Sequence, residues 1–209
     1  MNNFASDKQP KRSSIWVILL LVAGVLLTVF CLWWFQSSQL KDFIDDKDDA
    51  AFFQSQTIDS LLQPYLKQLG PALEDQRTLI HFWRPDCLCN RISQRHFENL
   101  IAQYSADELR IVIIAHPATS DAEIASLIKL NGERFIVLRA QQSLLDLLSS
   151  PSLAIYNQYG EFSYFGAYGF GAFCNVREDG FLASIIDNAQ GNRFTNVIGE
   201  GCFCRWSDE

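Results

Sequence analysis

The sequence predicts an α/β domain built on a central sheet and tied to a membrane by one apolar helix. Three observations predict it. Ile15 to Phe35 is a run of 21 residues without a charge, long enough to span a bilayer. From Arg77 onward, short apolar runs alternate with helical patterns, which is the signature of βαβ units. One of those runs, Thr78 to Trp83, stops at Pro85-Asp86, and a cysteine pair, Cys87 and Cys89, then opens a helical pattern.

Composition narrows the function classes. The chain has 209 residues, 48% of them hydrophobic, and a formal net charge of -7. That is enough apolar material for one packed domain with appendages. The acidic balance, with no basic patch, argues against nucleic acid as a partner.

Residues 1–14 are polar and carry Lys8, Lys11 and Arg12 against one acid, Asp7, and read as a cytoplasmic tail. Residues 15–35 follow as the anchor, with Trp16, Trp33 and Trp34 near its ends, where interfacial aromatics belong. A cleaved signal peptide is the competing reading. No small-x-small cleavage site follows, and the run is longer than a typical signal core. Cys31 reads as a small apolar filler within the span. The basic flank precedes the span, and Asp42, Asp45, Asp46, Asp48 and Asp49 follow it. The positive-inside rule then exports residues 36–209, which hold 14 basic and 23 acidic residues, a net of -9. The location that follows is a bacterial inner membrane, single-pass, with the C-terminal domain in the periplasm.

Residues 36–76 read as an acidic linker and a packing helix. Ile58, Leu61, Leu62, Tyr65, Leu66 and Leu69 form its apolar face, which Pro64 interrupts and Gly70-Pro71 ends. Residues 77–190 are the domain proper. After the cysteine helix, Arg110 to His116 is a continuous apolar run suited to a buried parallel strand. Ser120 to Glu123 is a capping box opening a helix that Asn131-Gly132 stops. Arg134 to Arg139 is a strand, Ser143 to Leu148 a short helix, and Ser150 to Phe162 a strand and turn. A strand around Tyr164–Tyr168 and a helix from Glu178 to Ala189 complete the domain. Residues 191–209 form a cysteine-containing tail, punctuated by Gly191, Gly199 and Gly201 and so suited to mobility.

The chemistry concentrates at cysteines. Five of the six lie in the exported part: Cys87, Cys89, Cys174, Cys202 and Cys204. In an oxidising compartment such residues are usually paired or catalytic. Cys87 and Cys89 sit where a helix begins, and unpaired N–H groups and the helix dipole there favour thiolate. Arg84 and Arg91 flank the pair and favour thiolate too; Asp86 opposes them. Three roles stay open for the pair: redox chemistry, structural disulfides and metal binding. Cys202 and Cys204 repeat the Cys-x-Cys spacing and read as a second redox couple or as a disulfide pinning the tail. Cys174 stays open between free thiol, resolving thiol and half of a disulfide. In an extended Cys-x-Cys the Cα atoms lie ~6.5–7 Å apart, at the edge of disulfide range, so an internal bridge requires a bend. His96 and His116 read as structural, His96 on an exposed helix edge.

Phe82-Trp83 followed by Cys87 at a helix start resembles the thioredoxin-like superfamily. The closest resemblance is to its membrane-anchored branch of TlpA-type and cytochrome-maturation reductants. The departure is Cys-x-Cys where that family has Cys-x-x-Cys, with Asn90 at the usual second-cysteine place. Pro151, Asn157 and Gly160 match a proline, an acid and a glycine of that branch, with Asn157 in place of Asp. The resemblance covers about residues 77–190. It implies a three-layer α/β/α sandwich with one N-terminal transmembrane helix, Cys87 as nucleophile and Cys89 as resolving thiol. It also implies a cis Pro151 beside the cysteines, a substrate groove of Trp83, Ser150 and Pro151, and no cofactor or resident metal. His81 stands six residues before Cys87, where thioredoxins carry a buried carboxylate, and so becomes a candidate proton acceptor.

The expected function is a membrane-anchored periplasmic thiol–disulfide oxidoreductase, with exported protein thiols or disulfides as partners and room for a membrane redox partner. The alternative is a non-catalytic thioredoxin-like module that binds Zn, Cu or a protein through its Cys-x-Cys pairs.

Overall fold

A computed structural model describes residues 12–44, 54–145, 149–170, 179–189 and 193–207. Contacts divide the chain into two compact units, one ending at Ser38 and one beginning at Gln39. The described residues of the first lie in one helix, α1 (Arg12–Gln39), whose last residue belongs to the second unit. Its segment Ile15–Phe35 has a mean hydropathy of 3.0 and is long and apolar enough to cross a membrane.

The second unit begins with a two-residue strand, β1 (Lys41–Asp42), and α2 (Ser55–Leu69). Pro64 lies inside α2, and the helix continues through it rather than breaking there. Next come β2 (Arg77–Trp83), α3 (Leu88–Ile101), β3 (Leu109–Ala115) and α4 (Asp121–Asn131). The capping box is formed: Ser120 Oγ accepts from Glu123 N, and Glu123 accepts from Ser120 N. β4 (Phe135–Arg139) and α5 (Gln142–Leu145) follow. After them come β5 (Ser149–Ser150), β6 (Ser152–Tyr156), β7 (Phe162–Ala167) and α6 (Asp179–Asp187). The chain closes with β8 (Phe194–Asn196), β9 (Glu200–Gly201) and β10 (Cys204–Arg205).

Six strands form one sheet in the order β4-β3-β2-β6-β7-β8. β2 lies parallel to β3, and β3 to β4; β6 is antiparallel to both β2 and β7. Parallel βαβ units on one side and an antiparallel hairpin on the other, meeting at β2, make the thioredoxin-like sandwich. Residues alternate between the sheet's two faces. Ile80, Phe82, Val112 and Ile114 face α2, whose Ile58, Leu62 and Tyr65 cover them. Leu79, Trp83, Ile111 and Ile113 face α3 and α6, through Phe97, Leu100, Leu182 and Ile186. In the β6–β7 turn, Asn157 Oδ1 accepts from Tyr159 N and Glu161 N, and Gly160 takes φ 74°.

The structure departs from the sequence reading at both ends of this unit. The tail expected to be mobile is woven in. β9 pairs with β1 and β10 with β5, and Phe203 and Trp206 are buried in the α2-side core. Phe43, expected in a polar linker, is 2% exposed and stacks edge-on against Phe203 at 5.1 Å. An aromatic pair of this kind outweighs the glycine content of the tail. Phe203 and Trp206 do not dock around Trp83: Trp206 packs edge-on against Phe82, on the opposite face of β2. His96, expected on an exposed edge, is buried. Residues 1–11, the acids at 45–50, residues 146–148 and Cys174 lie outside the described residues.

Candidate active site

β2 delivers the chain to the site. Its last residue, Trp83, leads into a turn closed by Cys87 N donating to Arg84 O at 3.2 Å. Cys87 is the N-cap of α3, with extended backbone and no side-chain cap bond. Cys89 falls in the first helical turn. The two sulfurs therefore sit at the helix N-terminus, where orphan N–H groups and the dipole favour negative charge.

Two disulfides tie this helix start to the tail. Cys87 bonds Cys204, with Cα atoms 6.0 Å apart, and Cys89 bonds Cys202, with Cα atoms 5.3 Å apart. Neither Cys-x-Cys closes on itself. The two motifs meet antiparallel, so the first residue of one faces the last of the other. Equal spacing is what makes both bridges possible, and that repeat was the one signal of the pairing in the sequence.

The bridges differ in access. Cys87, Cys89 and Cys202 are 3%, 5% and 2% exposed, and Cys204 is half-buried. Cys204 borders a cavity of about 220 Å³ shared with Cys87, Lys41, Arg84, Asp86 and Arg205. The Sγ atoms of Cys87, Cys89 and Cys204 all lie within 4.8 Å of one another.

The tail is held by more than sulfur. Cys204 pairs across from Ser150, and Arg205 from Ser149. The Ser150–Pro151 peptide is cis, and Cys87 Sγ lies 3.8 Å from Ser150 O. Ser150 Oγ donates to Phe82 O at 3.1 Å and accepts from Trp206 Nε1 at 2.6 Å. Arg84 Nη1 donates to Arg205 O at 2.6 Å, while its Nε pairs with Asp86 at 3.1 Å. Burial raises the Asp86 pKa, but the Arg84 hydrogen bond and charge outweigh it, and the carboxyl is held below its usual value. His116 Nε2 lies 3.3 Å from Trp206 O, a structural position at the end of β3. The Arg84 and Trp206 contacts had no sequence signal, because each joins residues far apart in the chain.

The remaining expected residues are spread out. Ser150 and Pro151 lie beside Cys87. Trp83 points to the other face of β2 and lines a separate cavity of about 550 Å³ with Pro85, Glu98 and Leu127. His81 shares that face. It stacks on Phe97 at 4.4 Å, and its Nδ1 is 2.8 Å from the Tyr168 hydroxyl. Its Nε2 has no hydrogen-bond partner among the described residues. Burial pushes the His81 pKa down to about 3 and lifts the Tyr168 phenol well above its usual value. With its pKa held down, His81 is a neutral imidazole near pH 7. The lowering follows from the site: an apolar strand position disfavours the charged imidazolium.

A family model described as "Domain of unknown function (DUF6436)" matches residues 54–206. No curated protein matches the sequence. Among solved structures, a hypothetical protein from Sinorhizobium meliloti is 16% identical with a TM-score of 0.50, covering 65% of this chain and 82% of its own. An uncharacterized conserved protein from Geobacillus kaustophilus is 16% identical with a TM-score of 0.49, covering 65% and 78%. A secreted disulfide oxidoreductase from Mycobacterium tuberculosis is 14% identical with a TM-score of 0.40, covering 55% and 83%. These are likenesses of fold.

Proposed function

The chain belongs to the DUF6436 family, and from that premise we propose that it is a membrane-anchored thiol–disulfide oxidoreductase acting on thiols or disulfides of exported proteins. One observation carries the reading: the Cys87–Cys204 disulfide lies at a helix N-terminus and opens to a surface cavity through half-buried Cys204. A purely structural bridge has no need of either feature.

The exchange runs as follows. A substrate thiolate attacks Cys204 Sγ and bonds to it, and Cys87 leaves as thiolate into the field of the α3 N-terminus. The substrate's second thiolate then attacks its own sulfur in the mixed disulfide and releases Cys204. The substrate leaves oxidised by two electrons and the protein is reduced by two. In the reverse direction the Cys87 thiolate attacks a substrate disulfide. Cys87 and Cys204 carry this exchange, and Cys89, expected as the resolving thiol, is held beside them in the second bridge. Ser150 and Pro151 shape the surface beside them, and His81 serves as a neutral core residue. The basic flank of α1 orients the unit toward the periplasm.

The test uses the full chain in detergent. Incubation with a small dithiol at neutral pH should open Cys87–Cys204 without denaturant, and Cys204→Ser should abolish catalysed exchange while Cys31→Ser leaves it intact. A bridge that resists dithiol until the protein unfolds would return both disulfides to a structural role.

A second reading rests on the sulfur triangle. In the oxidised structure these three sulfurs lie within 4.8 Å of one another; as thiolates they are a donor set that suits Zn²⁺ or Cu(I). Reduced chain that retains about one equivalent of either metal on desalting, and loses it in Cys204→Ser, would favour this reading.

A further inference from the structure

We propose that the two bridges act in sequence, the buried one passing its oxidising equivalent outward through Cys87. This rests on the oxidoreductase reading above and extends it to the order of sulfurs. Cys89 and Cys202 are both buried, so no external thiolate reaches their bond directly. Cys87 does reach it. Its Sγ lies within 4.8 Å of Cys89 Sγ in the oxidised structure, and the first exchange frees it there as thiolate. Of the two sulfurs of the second bridge, Cys89 Sγ is the one within 4.8 Å of both Cys87 and Cys204. That placement favours attack on Cys89 with Cys202 as the leaving group.

The step balances without a further reagent. Cys87 thiolate bonds to Cys89 Sγ, the Cys89–Cys202 bond breaks, and Cys202 leaves as thiolate and takes a proton from water. The product is a Cys87–Cys89 disulfide in the first turn of α3. The sequence reading held such a bridge to be marginal because it assumed an extended backbone. Cys87 is the N-cap, where the chain turns from extended backbone into α3, so the bend that an internal bridge requires falls at this pair.

This transfer has two consequences. The site stores four electrons' worth of oxidation but presents them one bridge at a time. And one two-electron exchange releases both covalent ties to the tail, because Cys202 and Cys204 become the free thiols. The tail then keeps its β-pairing, the Arg84 hydrogen bond and the burial of Phe203 and Trp206.

Mapping one reduction step tests the proposal. Oxidised full chain in detergent is treated with one equivalent of a small dithiol, quenched in acid, alkylated and digested. Among molecules reduced by two electrons, alkylated Cys202 should outnumber alkylated Cys87 severalfold, with Cys87 and Cys89 recovered as an internal disulfide in one peptide. Recovery of alkylated Cys87 and Cys204 with Cys89–Cys202 intact would overturn the transfer and leave the exchange reading standing. Failure of the dithiol to open either bridge would overturn both.

Discussion

His81 gives the sharpest quantitative test of the fold around the site. Its imidazole is buried between Phe97 and Tyr168, and its pKa falls to about 3. In the unfolded chain a histidine titrates near 6.5. Between those values the unfolded state binds a proton and the folded state does not, so stability falls as pH falls. At pH 8 neither state is charged and the residue contributes no pH dependence. By pH 5 the linkage integral amounts to about 2 kcal/mol, and by pH 4 to about 3 kcal/mol, at one pKa unit per 1.36 kcal/mol. The perturbation is His81→Phe, which keeps a ring stacked on Phe97 and removes the titrating group. It also strands the Tyr168 hydroxyl, a pH-independent cost of about 1–3 kcal/mol that shifts the whole curve. Equilibrium urea unfolding of full chain in detergent, bridges intact, is measured at pH 8 and pH 5 for both proteins. Wild type should lose about 2 kcal/mol more than the variant over that interval. Equal losses would mean that His81 protonates in the folded state at an ordinary pKa, and the neutral-imidazole assignment would fail with it.

Two further outcomes follow from the tail's contacts. Trp206→Ala removes a side chain that is 1% exposed, together with its hydrogen bond to Ser150, and should lower stability by about 3–5 kcal/mol in the same unfolding assay; a loss under about 1 kcal/mol would show that the tail is not part of the core. Arg84→Met removes the clamp on Arg205 O and the pair with Asp86. It should cost only about 1 kcal/mol yet speed reduction of Cys87–Cys204 by dithiol severalfold, and an unchanged reduction rate would show that Arg84 does not gate the bridge.

What the sequence made legible was local. The β2-to-α3 passage was visible because an apolar run, a breaker and a helical pattern follow one another within a few residues. The Ser120 box and the Asn157 turn were visible because a side chain bonds backbone two or three residues away. What stayed hidden was set by distance in the chain. β1, β5, β9 and β10 are two residues each, too short for any periodicity, and they exist only because their partners stand opposite. Glycines in the tail signalled freedom, but burial of Phe203 and Trp206 overrides it. His81 could be matched to a position but not to a pKa, because the pKa depends on Phe97 and Tyr168 closing over it from other elements.

Chain entropy argues that the second bridge is not there for stability. Cys87–Cys204 joins residues 117 apart, and closing a loop of that size removes enough freedom from the unfolded chain for about 5 kcal/mol. Cys89–Cys202, with a separation of 113, lies just inside the same loop. Once the outer bridge exists, the inner one closes only a ring of about six residues, for which the same relation gives about 2 kcal/mol. The tail, meanwhile, is already fixed by two buried aromatics and by β10. A second disulfide at this position is therefore nearly redundant as a staple. On the proposed exchange it is not redundant, because this disulfide can accept two more electrons beside Cys87. The proposed exchange gives the duplicated Cys-x-Cys a use that the folding chemistry leaves open.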